Sequence, residues 1–242
     1  MTTRQTTPTI DVQRLSSIPL FKDLDEAFLE SVCAAAQTRR LQKDAFYFLQ
    51  GDPADSLFVL IEGRVRLTQT NLDGQQVLLR VIGPYALFGA VALAQAENYP
   101  VTAEAAEASV ALVWKKLEIM PFVVGNPHMA MNAIQVMATH AQEFQERFRQ
   151  QATERVERRL AHTLLRLAAQ TGEKTAKGVV IHLPLTRQEL AEMSGTTLFT
   201  VSRILSQWEA QRLVIADREQ IIIRYPHGLV NISLDLPFTP PE

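Results

Sequence analysis

Residues Leu185–Leu205 read LTRQELAEMSGTTLFTVSRIL and have the spacing of a helix–turn–helix. Thr186, with Glu189 three residues later, predicts a capping box at the start of the first helix. Gly195 predicts the turn, because glycine adopts a left-handed backbone without a steric penalty. Thr197 predicts the cap of the second helix. A motif of this kind indicates binding to double-stranded DNA.

The second helix of the motif has two predicted faces. Its buried face carries Val201, Ile204, Leu205 and Trp208. Its outward face near the start carries Leu198, Phe199, Ser202 and Arg203, where a helix–turn–helix contacts base edges. Arg203 is the strongest candidate for reading a base, because a guanidinium can pair with O6 and N7 of guanine together.

Flanking patterns extend this domain on both sides. Downstream, Leu213–Ala216 and Gln220–Arg224 predict a two-stranded wing with a polar tip at Asp217-Arg218-Glu219. Upstream, the apolar residues of Val156–Ala169 lie in helical register, and Thr171-Gly172 ends that segment.

The segment before it predicts one long helix, because residues 128–157 contain neither glycine nor proline. Its apolar positions recur at steps of three and four, and its C-terminal half is polar. Such a narrow stripe favours a seam between two helices, with a core helix of the same domain as the alternative. The predicted dimer seam comprises Ala133, Val136, Met137, His140, Phe144 and Phe148.

The N-terminal part has a different pattern, with short apolar runs separated by Gly- and Pro-marked turns. These runs predict strands in an antiparallel sandwich or jelly roll. Asp73-Gly74 marks the clearest hairpin. The predicted strands are Ala45–Leu49, Leu57–Ile61, Arg64–Thr68, Val77–Val81 and Ser109–Trp114. Before them, apolar residues between Pro19 and Ala36 predict short amphipathic helices.

Composition limits the function classes. Residues 1–154 carry 13 Lys and Arg against 17 Asp and Glu, whereas residues 155–230 carry 11 against 7, so the basic part coincides with the helix–turn–helix. The single cysteine, Cys33, excludes an internal disulfide, a Cys-rich zinc site and a four-cysteine iron–sulfur cluster. The N-terminal residues are polar and no apolar run is long enough to span a membrane, so we expect a cytoplasmic protein without a membrane partner.

The order of jelly roll, long helix and winged helix–turn–helix resembles the bacterial CRP/FNR-type transcription regulators. The resemblance covers about residues 17–230 and is most specific in Leu185–Leu205, in the TLLRLA run at residues 163–168 and in the glycine turns at residues 51, 63, 74, 83 and 89. It implies an α+β chain that forms a homodimer, binds an inverted repeat near a promoter, bends the DNA and contacts RNA polymerase. The expected segments are a flexible arm (1–16), an effector-sensing jelly roll (17–127), a dimerisation helix (128–157), a winged helix–turn–helix (158–231) and a tail (232–242).

The resemblance also assigns DNA contacts. Thr186, Arg187, Thr197 and Thr200 match positions that contact phosphates, and the four outward residues match positions that read bases. Many relatives carry Glu at the position of Phe199, where it accepts a hydrogen bond from cytosine. Phenylalanine cannot do so, and we therefore expect an altered half-site in which Leu198 and Phe199 pack against thymine methyl groups or sugar.

The effector pocket departs further from the family. The candidate effector pocket comprises Gly89, Ala90, Leu93, Tyr99, Pro100, Val101, His140 and Phe144. Where the family's cyclic-nucleotide site has a Glu for the ribose hydroxyl and an Arg for the phosphate, this chain has Ala90 and Pro100. A phosphate buried without a partner is costly, so we do not expect cyclic AMP as the signal. The single cysteine excludes an iron–sulfur cluster.

Other readings of the sequence stay open. His140 could ligate haem in a sensor of NO or CO, or serve as a packing residue. The aromatic and aliphatic pocket residues could line an apolar cavity or belong to the dimer core. The chain could also bind DNA without any effector. A cupin-like enzyme is disfavoured, because residues 41–115 contain no histidine and no catalytic motif is recognisable.

Overall fold

The computed structural model describes residues 12–70, 76–94, 96–181, 186–217 and 220–236. The chain divides into two compact units, residues 1–69 with 82–142 and residues 70–81 with 143–242. Among the described residues, no helix combines the length and the apolar character needed to cross a membrane.

The first unit is built around antiparallel strands, as predicted. The strands of this part of the chain are β1 (Gln37–Leu41), β2 (Phe46–Phe48), β3 (Ser56–Glu62), β4 (Val65–Thr70), β5 (Gln76–Ile82), β6 (Leu87–Phe88), β7 (Thr102–Ala105) and β8 (Ser109–Lys115). Most of β5, residues 76–81, belongs to the second unit. Two four-stranded sheets run in the orders β1-β8-β3-β6 and β2-β7-β4-β5. All five predicted strands are present within two residues at each end, whereas β1, β6 and β7 were not predicted. The hairpin turn at Asp73-Gly74 lies outside the described residues.

Helices α1 (Val12–Leu15), α2 (Glu26–Ala34), α3 (Lys116–Gly125) and α4 (Pro127–Thr153) flank these strands in the chain, with 3₁₀ turns at Pro19–Phe21 and Ala90–Ala94. The predicted flexible arm therefore includes a helical turn, and Leu15 within it is fully buried. The first half of α4 closes one core of this unit, since Met129, Ala133 and Val136 pack there with Trp114. Burial of these side chains supplies the main stabilisation of such a layer.

The second unit contains α5 (Val156–Thr171), β9 (Gly172–Thr175), β10 (Gly178–Ile181), α6 (Arg187–Ser194), α7 (Leu198–Ala210), β11 (Val214–Ala216), β12 (Ile221–Ile223) and α8 (Pro226–Ser233). The wing prediction is confirmed, and its two strands belong to an antiparallel sheet in the order β11-β12-β10-β9. The wing tip at residues 218–219 lies outside the described residues.

Two boundaries differ from the predictions. The long helix predicted to Glu157 ends at Thr153, because Arg155 takes an extended conformation (φ −63°, ψ 149°) and α5 starts at Val156. The predicted tail after residue 231 begins with the last turn of α8, an unpredicted helix that starts with Pro226 at its first position. Leu229 of α8 is buried in the same core as Leu160 and Leu164 of α5.

Candidate nucleic-acid interface and sensor site

The helix–turn–helix is held by local hydrogen bonds that the sequence predicted. The Thr186 hydroxyl accepts the Glu189 amide (3.1 Å), and the Glu189 carboxylate accepts the Thr186 amide (2.7 Å), which completes the capping box. Gly195 ends α6 in the left-handed region (φ 61°, ψ 49°). Thr197 caps α7 by accepting the Thr200 amide at 3.3 Å. These caps and the turn at Gly195 therefore determine the angle at which α7 follows α6.

Helix α7 separates a buried face from an exposed one. Val201, Ile204, Leu205 and Trp208 are at most 3% exposed. Trp208 donates its indole N–H to Glu157 of α5 (3.1 Å), so that α7 is anchored to the helix behind it. On the other face, Phe199 is 82% exposed and Leu198 is 38% exposed. The two neighbouring side chains together present apolar surface on this face of α7.

Arg203 lies one turn further along the same exposed face, with Ser202 half-buried beside it. The Arg203 guanidinium makes no hydrogen bond or ion pair with any residue in the described part of the chain. Its side chain is exposed on this face of α7.

The four predicted phosphate-contacting residues lie at the starts of α6 and α7. Thr186, Arg187 and Thr197 are exposed and Thr200 is half-buried. Thr186 and Arg187 also line a groove of about 600 Å³ whose other wall includes Ala216 of the wing. Backbone N–H groups at helix starts favour anions, and the exposed Arg187 adds a positive charge.

The interior of the first unit is filled by aromatic rings. Phe48 stacks on Tyr99 at 3.7 Å between centroids, and Phe58 stacks on Phe88 at 4.9 Å. The Tyr99 hydroxyl donates to the Ser56 carbonyl (2.5 Å) and accepts the Ser56 amide (3.0 Å). Burial raises the pKa of Tyr99 to about 12, which keeps it a neutral hydrogen-bonding core residue.

Gly89 begins the turn that follows this aromatic cluster. Its backbone has φ +71°, and a Cβ there would lie 2.9 Å from the Phe58 ring and 3.0 Å from the Ser56 carbonyl oxygen. Glycine is thus required on two grounds, conformation and space. The next residue, Ala90, is only 4% exposed and starts the 3₁₀ turn.

Two family models match the chain over these same elements. A cyclic nucleotide-binding domain matches residues 38–123. A Crp-like helix–turn–helix domain matches residues 158–232. The chain is a CRP/FNR-type transcription regulator. It combines a DNA-binding helix–turn–helix domain with a sensory domain of the cyclic-nucleotide-binding type. The family consists of transcription regulators, which are not enzymes.

Individual relatives of this CRP/FNR-type regulator span most of its length. An anaerobic regulatory protein of Bacillus subtilis is 24% identical over 230 residues, covering 94% of this chain and 97% of the relative. A cyclic AMP receptor protein of Thermus thermophilus is 28% identical over 77% of this chain and 83% of its own length. The structure of FixK2 from Bradyrhizobium japonicum matches with a TM-score of 0.72 at 22% identity, over 82% of this chain and 97% of FixK2.

The regulator's predicted effector residues are distributed over different surroundings. Ala90 and Leu93 pack in the core that contains Trp114, whereas Tyr99 and Val101 belong to the aromatic core. Pro100 is exposed and His140 is half-buried. Phe144 is 72% exposed. The effector pocket therefore stays a prediction, whose members lie in these different surroundings.

The predicted dimer seam is likewise divided. Ala133 and Val136 are buried in the core of the chain itself, Met137 and His140 are half-buried, and Phe144 and Phe148 are exposed. The two buried residues therefore face inward. A heptad pattern of less buried residues runs along α4 instead: Ile134, Met137, Ala141, Phe144 and Phe148. Ala133 and Val136 fit the same apolar stripe in the sequence, so the spacing alone does not separate the buried residues of α4 from the exposed ones.

Proposed function

We propose that this regulator acts as a homodimer that binds an inverted-repeat promoter site and responds to a signal received by its N-terminal domain. The observation that carries the proposal is the exposed face of α7, where Arg203 is unpaired among the described residues and Phe199 is 82% exposed. Two copies would insert these helices into major grooves one turn apart, about 34 Å. On the basis of the family resemblance, we propose that the DNA-bound regulator also contacts RNA polymerase.

Dimerisation is supported by the exposed apolar residues of α4. Ile134, Phe144 and Phe148 are 61%, 72% and 69% exposed in the single chain. Apolar residues at alternating steps of three and four along one helix suit pairing with the same helix of a second copy. The seam we propose is therefore Ile134, Met137, Ala141, Phe144 and Phe148, in place of the set that included Ala133 and Val136.

The half-site we propose contains a guanine for Arg203 and a thymine near Phe199. A guanidinium pairs bidentately with guanine, whereas a phenyl ring has no hydrogen-bond acceptor for cytosine and packs well on the thymine methyl group. Leu198, at 38% exposure, adds apolar surface next to Phe199. Thr186, Arg187, Thr197 and Thr200 would contact the flanking phosphates and set the register.

The signal we propose is neither cyclic AMP nor an iron–sulfur cluster. Ala90 and Pro100 cannot replace a carboxylate and a guanidinium, and Tyr99 uses its hydroxyl on the Ser56 backbone. A ligand acts only if it binds the two arrangements of the dimer with different affinities. Such a ligand would change how the α4 helices pair and thereby rotate the winged domains.

Selection of binding sites from a randomised duplex pool by the purified full-length protein tests the proposal. We expect an enriched inverted repeat whose half-site differs from the usual CRP and FNR half-sites. Phe199→Glu should shift selection toward cytosine at the contacted position, while Lys174→Glu, a charge change on the exposed strand β9, should leave the selected sequence unchanged. A pool that stays random, or an affinity independent of salt, would contradict direct docking on DNA. Mass spectrometry of co-purified small molecules would identify the signal.

A further inference from the structure

The junction between α4 and α5 contains a buried carboxylate. Glu154 follows the last residue of α4, and its side chain is 2% exposed. Arg149 of α4 lies 3.2 Å from one carboxylate oxygen, and Arg158 of α5 lies 3.6 Å from the same oxygen. His162 of α5 lies 3.4 Å from the other oxygen. A buried carboxylate is stable only with such partners, so the cluster holds both helices to the junction.

A second group connects this junction to the helix–turn–helix. Arg159 donates from Nη1 to the Glu154 carbonyl oxygen at 2.7 Å. It donates from Nε to the Ser194 carbonyl and from Nη2 to the Gly195 carbonyl, both at 2.8 Å. The two latter carbonyls end α6, where the helix dipole favours a cation. All three bonds are short and involve a charged donor, which makes them stronger than neutral hydrogen bonds.

The geometry points to Arg159 as a positioning residue for DNA recognition. The carbonyl groups of Ser194 and Gly195, in the turn that precedes α7, orient the planar guanidinium of Arg159. The same guanidinium then holds the carbonyl group of Glu154 in position. The direction of α5 relative to the last turns of α4 depends on the few torsions of residues 154–155, because both neighbouring segments are helical. Apolar packing alone is non-directional, whereas hydrogen bonds in a rigid fork fix an angle. Arg159 thus sets the orientation at which α7 is presented.

This inference rests on the proposed function, because orientation matters only if two copies must fit two half-sites at once. It assigns Arg159 a role that differs from that of Arg203. Arg203 would determine which base is preferred, and Arg159 would determine which distance between half-sites is preferred.

The decisive experiment compares Arg159→Lys with Arg155→Lys in the full-length protein. The lysine keeps the charge of Arg159 but cannot reach three carbonyls. Arg155 is exposed, and the same exchange there is a matched control at the start of the same helix.

Binding would be measured on the selected site and on sites lengthened or shortened by one or two base pairs. We expect Arg159→Lys to reduce the affinity ratio between the best and the altered spacing by about tenfold, the effect of removing one hydrogen bond to a charged group. The preferred bases should not change.

A second readout requires no DNA. Spin labels at Gln145→Cys on α4 and Gln207→Cys on α7, in a Cys33→Ser background, report the distance between two exposed positions of the second unit. Dilution with unlabelled protein leaves one labelled chain per dimer. We expect a broader distance distribution in Arg159→Lys and an unchanged one in Arg155→Lys.

The outcomes separate this inference from the proposed function. If the parent protein selects no DNA site, the proposed function fails, and the label distances still decide whether Arg159 fixes the junction. An unchanged distance distribution would overturn the inference. A broadened distribution with an unaltered spacing preference would also overturn it, because Arg159 would then be structural without positioning α7 for DNA.

Discussion

Phe199 on α7 and Phe58 on β3 illustrate how two regions of this molecule use the same side chain in opposite ways. Phe58 is 1% exposed and stacks on Phe88, whereas Phe199 is 82% exposed. In the sensory domain, aromatic rings pack in the interior, and the resemblance places Ala90 and Pro100 where the family has polar residues for a cyclic nucleotide. In the helix–turn–helix, the caps and the turn are retained while apolar and charged side chains remain exposed. The side chains that we propose for DNA recognition are therefore exposed, whereas the aromatic side chains of the sensory domain stabilise its core.

The largest expected effect comes from the same substitution in the two regions. Phe58→Ala should lower the free energy of unfolding of the sensory domain by about 3–5 kcal/mol, because it removes a buried ring and leaves a cavity beside Phe48 and Phe88. Phe199→Ala should change stability by no more than about 0.5 kcal/mol, since it removes an exposed ring. Calorimetric or denaturant unfolding of both variants provides the measurement. Equal decreases would mean that Phe199 is buried in solution.

Tyr99→Phe tests whether the aromatic core needs its hydroxyl. The Ser56 backbone would be deprived of a donor and an acceptor, and we expect a decrease of about 1–3 kcal/mol in the free energy of unfolding. Burial raises the pKa of Tyr99 from 10.0 to about 12, so this contribution is present below pH 10.0 and is lost as the pH rises through about 12. The stability difference between parent and Tyr99→Phe should therefore shrink above pH 10.0. A difference that does not depend on pH would place the hydroxyl in contact with water.

Arg203→Met tests the reading face of α7. Removal of a bidentate contact to guanine should reduce discrimination against one base pair of the selected half-site by about 1–3 kcal/mol. The measurement is the ratio of dissociation constants for the selected site and a site with that base pair exchanged. Lys174→Met removes an exposed charge from β9 and serves as the control. If both variants discriminate equally well, Arg203 does not read a base.

What could be predicted from sequence depended on whether the determinants are local. Thr186, Glu189 and Gly195 act within one helix and its turn, and the capping box and left-handed turn follow from residue type alone. The strand β1 was missed because its residues are largely exposed and polar, without an apolar alternation. An apolar stripe on a helix also does not show which other element packs against it. The sequence therefore could not tell that Ala133 is buried whereas Ile134 is exposed. The three bonds of Arg159 were invisible because their acceptors are backbone carbonyls.

The smallest expected effect concerns an interaction that carries no sequence information. Arg187 is exposed at the start of α6, where the resemblance implies a phosphate contact. Arg187→Gln should weaken binding to selected and unrelated DNA by the same factor, because the phosphate backbone is the same in both. The slope of log affinity against log salt should become less negative by about 0.9 for each phosphate that is no longer neutralised. Lys177→Gln, an exposed charge in the turn between β9 and β10, should leave that slope unchanged. If Arg187→Gln instead alters which base is preferred, then α6 contributes to base recognition, and its role is not limited to contacts with the phosphate backbone.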